Sequence, residues 1–174
     1  MNYIDNYNSP IGPITIASDG TQLVGLWFDG QKHDRDTLKN DLYMNKSLPI
    51  FDQTKLWLDI YFSGQAPDFT PSIKLTGSPF KQLIASIMLS IPFGQIATYG
   101  QIAKEAARLT NKLHIAAQAV GGAVGHNSIS IIVPCHRVVA ASGSLTGYAG
   151  GIDKKIWLLK NEHIDFNKIN LFVP

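Results

Sequence analysis

The only cysteine of this 174-residue chain, Cys135, stands in the block Pro134-Cys135-His136-Arg137, behind the apolar run 129–133. A thiol attacks as its thiolate, and a free thiol of pKa ~8.5 is little ionised at neutral pH. Proline is favoured at the first position of a helical turn and holds the residue before it extended. The block therefore predicts a turn that places Cys135 among free backbone N–H groups. These favour an anion and, with an adjacent histidine, can lower a thiol pKa. Inert packing is the competing reading of the Cys-His pair alone, because free cysteine is among the most buried residue types.

The residues that follow favour chemistry. Gly147-Tyr148-Ala149-Gly150-Gly151 is a loop whose glycines let backbone N–H groups approach a ligand, while Tyr148 can stack on a flat ring or close a pocket. The bland reading is a surface loop with one anchoring tyrosine. A helix is expected from about Asp153, read as its N-cap, with an apolar stripe at Ile152, Ile156 and Leu159 and with Trp157 in the core. Glu162 ends it. A carboxylate there opposes the helix dipole, so another reason for it is needed, and orienting a histidine is one.

The elements that must position these residues read as mixed α/β. Residues 2–7, 14–17 and 23–28 are short runs rich in Tyr, Ile, Val and Phe between turn residues, which predicts a small antiparallel sheet. The polar stretch 31–46 predicts an exposed helix. Residues 54–62, with Leu56 and Ile60, predict a packed helix stopped at Ser63-Gly64. Residues 63–78 read as a linker, so the chain divides into 1–76 and 77–174.

The second part is mostly helical. Phe80, Leu83, Ile84, Ile87 and Met88 recur at helical spacing up to Pro92. Thr98 followed by Gln101 is a capping box, opening a helix whose apolar face is Tyr99, Ile102, Ala103 and Ala106. After a polar turn at 108–112, Leu113, Ala116, Ala117 and Val120 predict a further helix, which makes the pair resemble a helix-turn-helix. Its surface is poor in bulk: Ala116, Ala117, Ala119, Gly121, Gly122 and Ala123 suit either tight packing or entry into a narrow groove. The run 129–133 predicts a buried strand.

Composition sets only loose limits. Apolar residues make up 45% and charged residues 16%, which fits a folded globular protein. A net charge of +2 is too weak on its own to indicate nucleic acid. One cysteine can form neither an internal disulfide nor a multi-cysteine zinc site, and a free thiol fits a reducing cytoplasm. No signal peptide and no membrane span is expected.

Taken in order, Ile91-Pro92-Phe93-Gly94, Thr98-Tyr99-Gly100-Gln101-Ile102-Ala103, Ala119-Val120-Gly121-Gly122-Ala123, Asn127, Ile132-Val133-Pro134-Cys135-His136-Arg137-Val138-Val139, Gly147-Tyr148-Ala149-Gly150-Gly151, Trp157-Leu158-Leu159 and Glu162 resemble the O6-alkylguanine-DNA alkyltransferases. The likeness runs over about residues 77–163. It implies a ribonuclease-like sheet-and-helix domain ahead of a helical domain with the helix-turn-helix. The second helix, about 113–124, would enter the minor groove, which is ~6 Å wide. The damaged base would be flipped out, since its reacting atom is out of reach inside the duplex. Cys135 would accept the alkyl group irreversibly, and His136, oriented by Glu162, would act as base through a water. Tyr99 would donate to the guanine, and Asn127 would hold the turn before the cysteine. Carbonyls at Cys135 and Val138 would read the exocyclic amine, the Ala149 N–H would meet O6, and Tyr148 would wall the pocket. Ala117, Gln118, Gly121, Arg137 and Gly150 complete the expected contacts with DNA and base. The alkyl donor is the substrate, so no external cofactor is implied; the expected partner is double-stranded DNA, bound by a monomer. O4-alkylthymine is a further candidate substrate.

The chain departs from the family pattern at three places. Gln118 stands where many members carry an arginine that fills the gap left by the flipped base. Ala85 replaces a frequent tryptophan. The zinc cluster of some relatives cannot form with a single cysteine. Two other classes compete: a sensor that binds alkylated DNA without transfer, whose known forms lack the cysteine, and a Cys-His hydrolase, which would need an oxyanion hole and would turn over repeatedly.

Overall fold

The computed structural model describes residues 2–38 and 43–174. The N-terminal part is a four-stranded sheet of β1 (Asn2–Ser9), β2 (Gly12–Ser18), β3 (Leu23–Phe28) and β4 (Tyr43–Asn45), in the order β3-β2-β1-β4. The three expected strands pair antiparallel, and β4 adds to β1 in parallel. Among the described residues, the helix expected over 31–46 does not form. Described residues form turns, with a short 3-10 turn at Asp36–Leu38, and then β4; positions 39–42 lie outside the described residues. The backbone explains it: His33 and Arg35 have φ of 63° and 54°, in the left-handed region that breaks a right-handed helix.

Helix α1 (Pro49–Phe62) ends at Ser63, as expected, but starts five residues before the expected 54, with proline in its first turn. It turns Phe51, Thr54, Trp57, Leu58 and Tyr61 inward. Leu56 is 53% exposed, because the i, i+3, i+7 stripe from Phe51 runs through other positions. The expected linker is partly paired: Ser72 and Lys74 exchange backbone hydrogen bonds with Leu23 at the start of β3.

The C-terminal part holds α2 (Pro79–Leu89), α3 (Tyr99–Leu109), α4 (Ala117–Gly125) and α5 (Ile152–Asn161). Ser78 caps α2 through the Lys81 N–H, and Thr98 and Gln101 close a reciprocal capping box on α3. Helix α4 starts later than expected. Asn111 turns the chain at φ 52°, Ala116 is extended, and Leu113 is 107% exposed instead of joining an apolar face. Gly151, not Asp153, is the N-cap of α5; Asp153 sits in the first turn, where its charge suits the dipole.

The run 129–133 is buried but is no strand. Only Ile129 bridges to Leu26 of β3, the Val133 N–H folds back to the Ile129 carbonyl, and Ile131 is left-handed at φ 70°. One apolar cluster crosses the whole molecule, from Ile14, Phe28 and Trp57 to Ile84, Val120 and Cys135. A two-residue parallel pair joins β5 (Ala97–Thr98) to β6 (Val138–Val139), which sets the start of α3 beside the cysteine block.

Candidate active site

Cys135 begins a single 3-10 turn, Cys135–Arg137, immediately after Pro134. The turn before it is braced by Asn127, whose side chain supplies the acceptor of the Ile129 N–H and a further donor to two carbonyls that already bond within the turn. Its Nδ2 donates to the Val133 carbonyl at 2.8 Å, the Ile129 carbonyl at 3.3 Å and the Cys135 Sγ at 3.1 Å, while its Oδ1 accepts from the Ile129 N–H. A β-branched residue at positive φ costs of order 1–3 kcal/mol, so this clasp holds Ile131 in a strained conformation just ahead of the sulfur.

The thiol is 5% exposed, and burial pushes its pKa up from the ordinary value. The Asn127 hydrogen bond and the charge of Lys155 work against that rise. Of the influences that the sequence offers, burial is the largest, and the His136 ring, which could have lowered the thiol pKa, reaches for Glu162 instead.

Behind the thiol lies a buried polar cluster centred on Glu162, the C-cap of α5. Its Oε1 accepts from His136 Nε2 at 2.5 Å, from Tyr61 Oη at 2.7 Å and from Arg137 Nη2 at 3.1 Å. Its Oε2 accepts from Arg137 Nε at 2.8 Å and from the Gly94 N–H at 3.0 Å. Burial favours the protonated acid, but the hydrogen bonds and charges of His136 and Arg137 prevail and hold the pKa near 2. Burial moves His136 below its ordinary value against the Glu162 hydrogen bond and charge, a direction that favours the neutral ring. With Nε2–H given to the carboxylate, Nδ1 carries the free lone pair, and it has no hydrogen-bond partner among the described residues.

Lys155 is also buried. Its Nζ donates to the Val138 carbonyl at 2.6 Å and the Thr146 carbonyl at 3.3 Å, and burial brings its pKa down to about 8. It ties β6 to the glycine-rich loop and supplies positive charge to the thiol.

A cavity of about 540 Å³ opens among Tyr99, Gly121, Gly122, His126, Tyr148 and Ala149. The tyrosine hydroxyls are raised first by burial and next by the negative charge of Cys135, so both remain protonated donors beside the sulfur. The Tyr148 hydroxyl is buried close to Ser130 without reaching hydrogen-bond geometry. A methyl group at Gly150 would stand 2.8 Å from the Tyr148 ring and 3.2 Å from Phe28, so any side chain here would displace the Tyr148 ring. The N-terminal part reaches the same loop through the Lys32 N–H, which donates to the Ala149 carbonyl at 3.1 Å.

The residues singled out from sequence thus fall into three places. Cys135, His136 and Glu162 are buried with the half-buried Asn127 against the sulfur, and Tyr99, Gly121, Tyr148 and Ala149 line the cavity. Ala117 and Gln118 are exposed on the first turn of α4. Arg137 is buried, its guanidinium committed to Glu162 and the Ile91 carbonyl. The Val138 carbonyl accepts from Lys155, and that of Cys135 accepts from the Val138 N–H. Sequence reasoning missed Tyr61 and Lys155. Lys155 left a signal, a charged residue three positions after Ile152 on the inward stripe of α5. Among the described residues no cluster of His, Cys, Asp or Glu is arranged to hold a metal, and no helix is long and apolar enough to cross a membrane.

Two family models cover nearly the whole chain: the 6-O-methylguanine DNA methyltransferase ribonuclease-like domain matches residues 2–75, and the DNA binding domain of the same family matches 79–164. The methylated-DNA–protein-cysteine methyltransferase of Methanosarcina mazei is 41% identical over 161 residues, 92% of this chain and 96% of that protein. The protein of that name from Mycobacterium tuberculosis is 39% identical over 155 residues, 89% of this chain and 88% of its own. The crystal structure of Mycobacterium tuberculosis OGT in complex with DNA superposes with a TM-score of 0.80 at 38% identity, covering 92% of both chains. With His136 bonded to Glu162 next to the lone cysteine and likeness running through both halves, the chain belongs to the 6-O-methylguanine DNA methyltransferase family.

Proposed function

We propose that the chain repairs O6-alkylguanine in duplex DNA by taking the alkyl group onto Cys135 in a single turnover. The exposed first turn of α4, with Ala117 and Gln118, enters the minor groove, and the base flips into the cavity between Tyr99 and Tyr148. The thiol proton passes through a water to Nδ1 of His136, whose Nε2–H is fixed on Glu162. The sulfur lone pair forms the S–C bond while the C–O6 bond breaks and its electron pair goes to the guanine. Tyr99 donates to the base as that charge develops. The base leaves with a proton in place of the alkyl group, and the protein keeps a thioether. Single turnover follows because a thioether has no leaving group that water can displace here.

The observation that carries this reading is the sulfur held by Asn127 and close enough for its charge to reach Tyr99 and Tyr148, the two tyrosines that line the cavity. The relatives named methylated-DNA–protein-cysteine methyltransferases and the relative crystallised with DNA support it. Arg137 enters as the holder of Glu162 rather than as a DNA contact. The division at residues 76 and 77, a monomeric state and a cytoplasmic setting complete the proposal. The test is transfer of a labelled methyl group from a duplex with one O6-methylguanine. Label should pass to the protein and not to the Cys135→Ser variant; transfer to that variant would refute the assignment of the nucleophile.

A further inference from the structure

The Glu162 cluster has a member from the other end of the chain. Tyr61, on the last turn of α1, donates its hydroxyl proton to Glu162 Oε1 at 2.7 Å, and the Tyr61 hydroxyl oxygen itself lies 3.2 Å from His136 Nε2. All three side chains are buried. The Tyr61 ring is held by Trp57, stacked at 5.3 Å and 6°, and by Phe93 edge-on at 6.0 Å. Tyr61 Oη, His136 Nε2 and Glu162 Oε1 thus form a triangle in which one carboxylate oxygen takes both protons. The groups facing His136 are Glu162 and Lys155 from α5, Arg137 from its own turn, and Tyr61 from α1.

We infer that Tyr61 is a positioning residue for alkyl transfer: its hydroxyl fixes the Glu162 carboxylate against His136 and draws charge from Oε1, setting how strongly His136 holds a proton. The sheet-and-helix part of the molecule therefore tunes the base as well as supporting it. The inference rests on the reading of His136 as base. A carboxylate oxygen that loses a donor carries more charge and favours the imidazolium. The hydroxyl stays protonated throughout, since burial and then the Glu162 charge push its pKa well above that of free tyrosine.

The test is the pH profile of the single-turnover transfer rate on a duplex with one O6-methylguanine. Tyr61→Phe should slow transfer about tenfold, the loss of one hydrogen bond to a charged group. It should also move the acid limb up by about half a pH unit, with DNA affinity unchanged. Replacing Tyr61 by 3,5-difluorotyrosine keeps ring and hydroxyl but makes a stronger donor, so the limb should move down. This second protein serves even if Tyr61→Phe fails to fold. Trp57→Phe disturbs the packing on Tyr61 but not the polar triangle, and should leave the limb in place. An unmoved limb in both Tyr61 proteins, or an equal shift in Trp57→Phe, overturns the inference. His136→Gln separates the two readings. If it leaves rate and profile unchanged, the base assignment fails; if it slows transfer while the Tyr61 proteins behave as wild type, only the role of Tyr61 fails.

Discussion

The side-chain amide of Asn127 lies 3.1 Å from the sulfur of Cys135 while the same nitrogen donates to the Val133 and Ile129 carbonyls. One side chain thus closes the turn and touches the nucleophile. Asn127→Ala should cost about 1–3 kcal/mol, because the Ile129 N–H loses its acceptor and the Val133 carbonyl keeps only the Cys135 N–H as donor. It should also slow transfer, because the thiolate loses its nearest hydrogen bond. Denaturant unfolding and single-turnover transfer measure the two effects, and full transfer speed in the variant would contradict the link.

Glu162 makes the fold sensitive to acid. Its pKa is near 2 in the folded state against 4.5 as a free side chain, so between these values the unfolded chain binds more protons than the folded one. Its contribution is complete above about pH 4.5 and is lost as pH falls toward 2, up to about 3 kcal/mol in all. Glu162→Gln should flatten that part of the stability–pH curve. It should also lower stability at pH 7 by about 3–5 kcal/mol, since Arg137 loses its buried counter-charge.

Lys155 should act on the reactive form of the thiol. Its charge opposes the rise that burial imposes on Cys135. Lys155→Met removes that charge, so the ionisation of Cys135 should move to higher pH, read by the pH dependence of thiol alkylation with iodoacetamide. An unchanged profile would show that the charge does not reach the sulfur.

Gln118 is exposed on the first turn of α4 and can offer an orphaned base partner hydrogen bonds but no charge. Gln118→Arg should therefore tighten binding to a lesion-bearing duplex and speed transfer several-fold. Equal affinity and rate would mean that the glutamine already fills the gap as well.

Local signals in the sequence were read correctly where neighbours along the chain decide the outcome. The Thr98–Gln101 capping box, the proline start of the Cys135 turn and the place of Glu162 at a helix end all depend on residues within one turn. The 31–46 stretch misled because polarity does not reveal left-handed residues such as His33 and Arg35. Residues 129–133 misled for a related reason: their burial is real, but a side chain, Asn127, replaces the strand partners that an apolar run suggests. Tyr61 was out of reach because its contact with Glu162 spans 101 positions and α1 shows only an ordinary aromatic face.

The most direct test of the central claim is mass spectrometry of the protein after incubation with a duplex carrying one O6-methylguanine. The account predicts a gain of one methyl group, located on the peptide containing Cys135, with a yield that never exceeds one per protein molecule. A methyl group on another residue, release of repaired DNA in excess of protein, or binding without any gain in mass would contradict it.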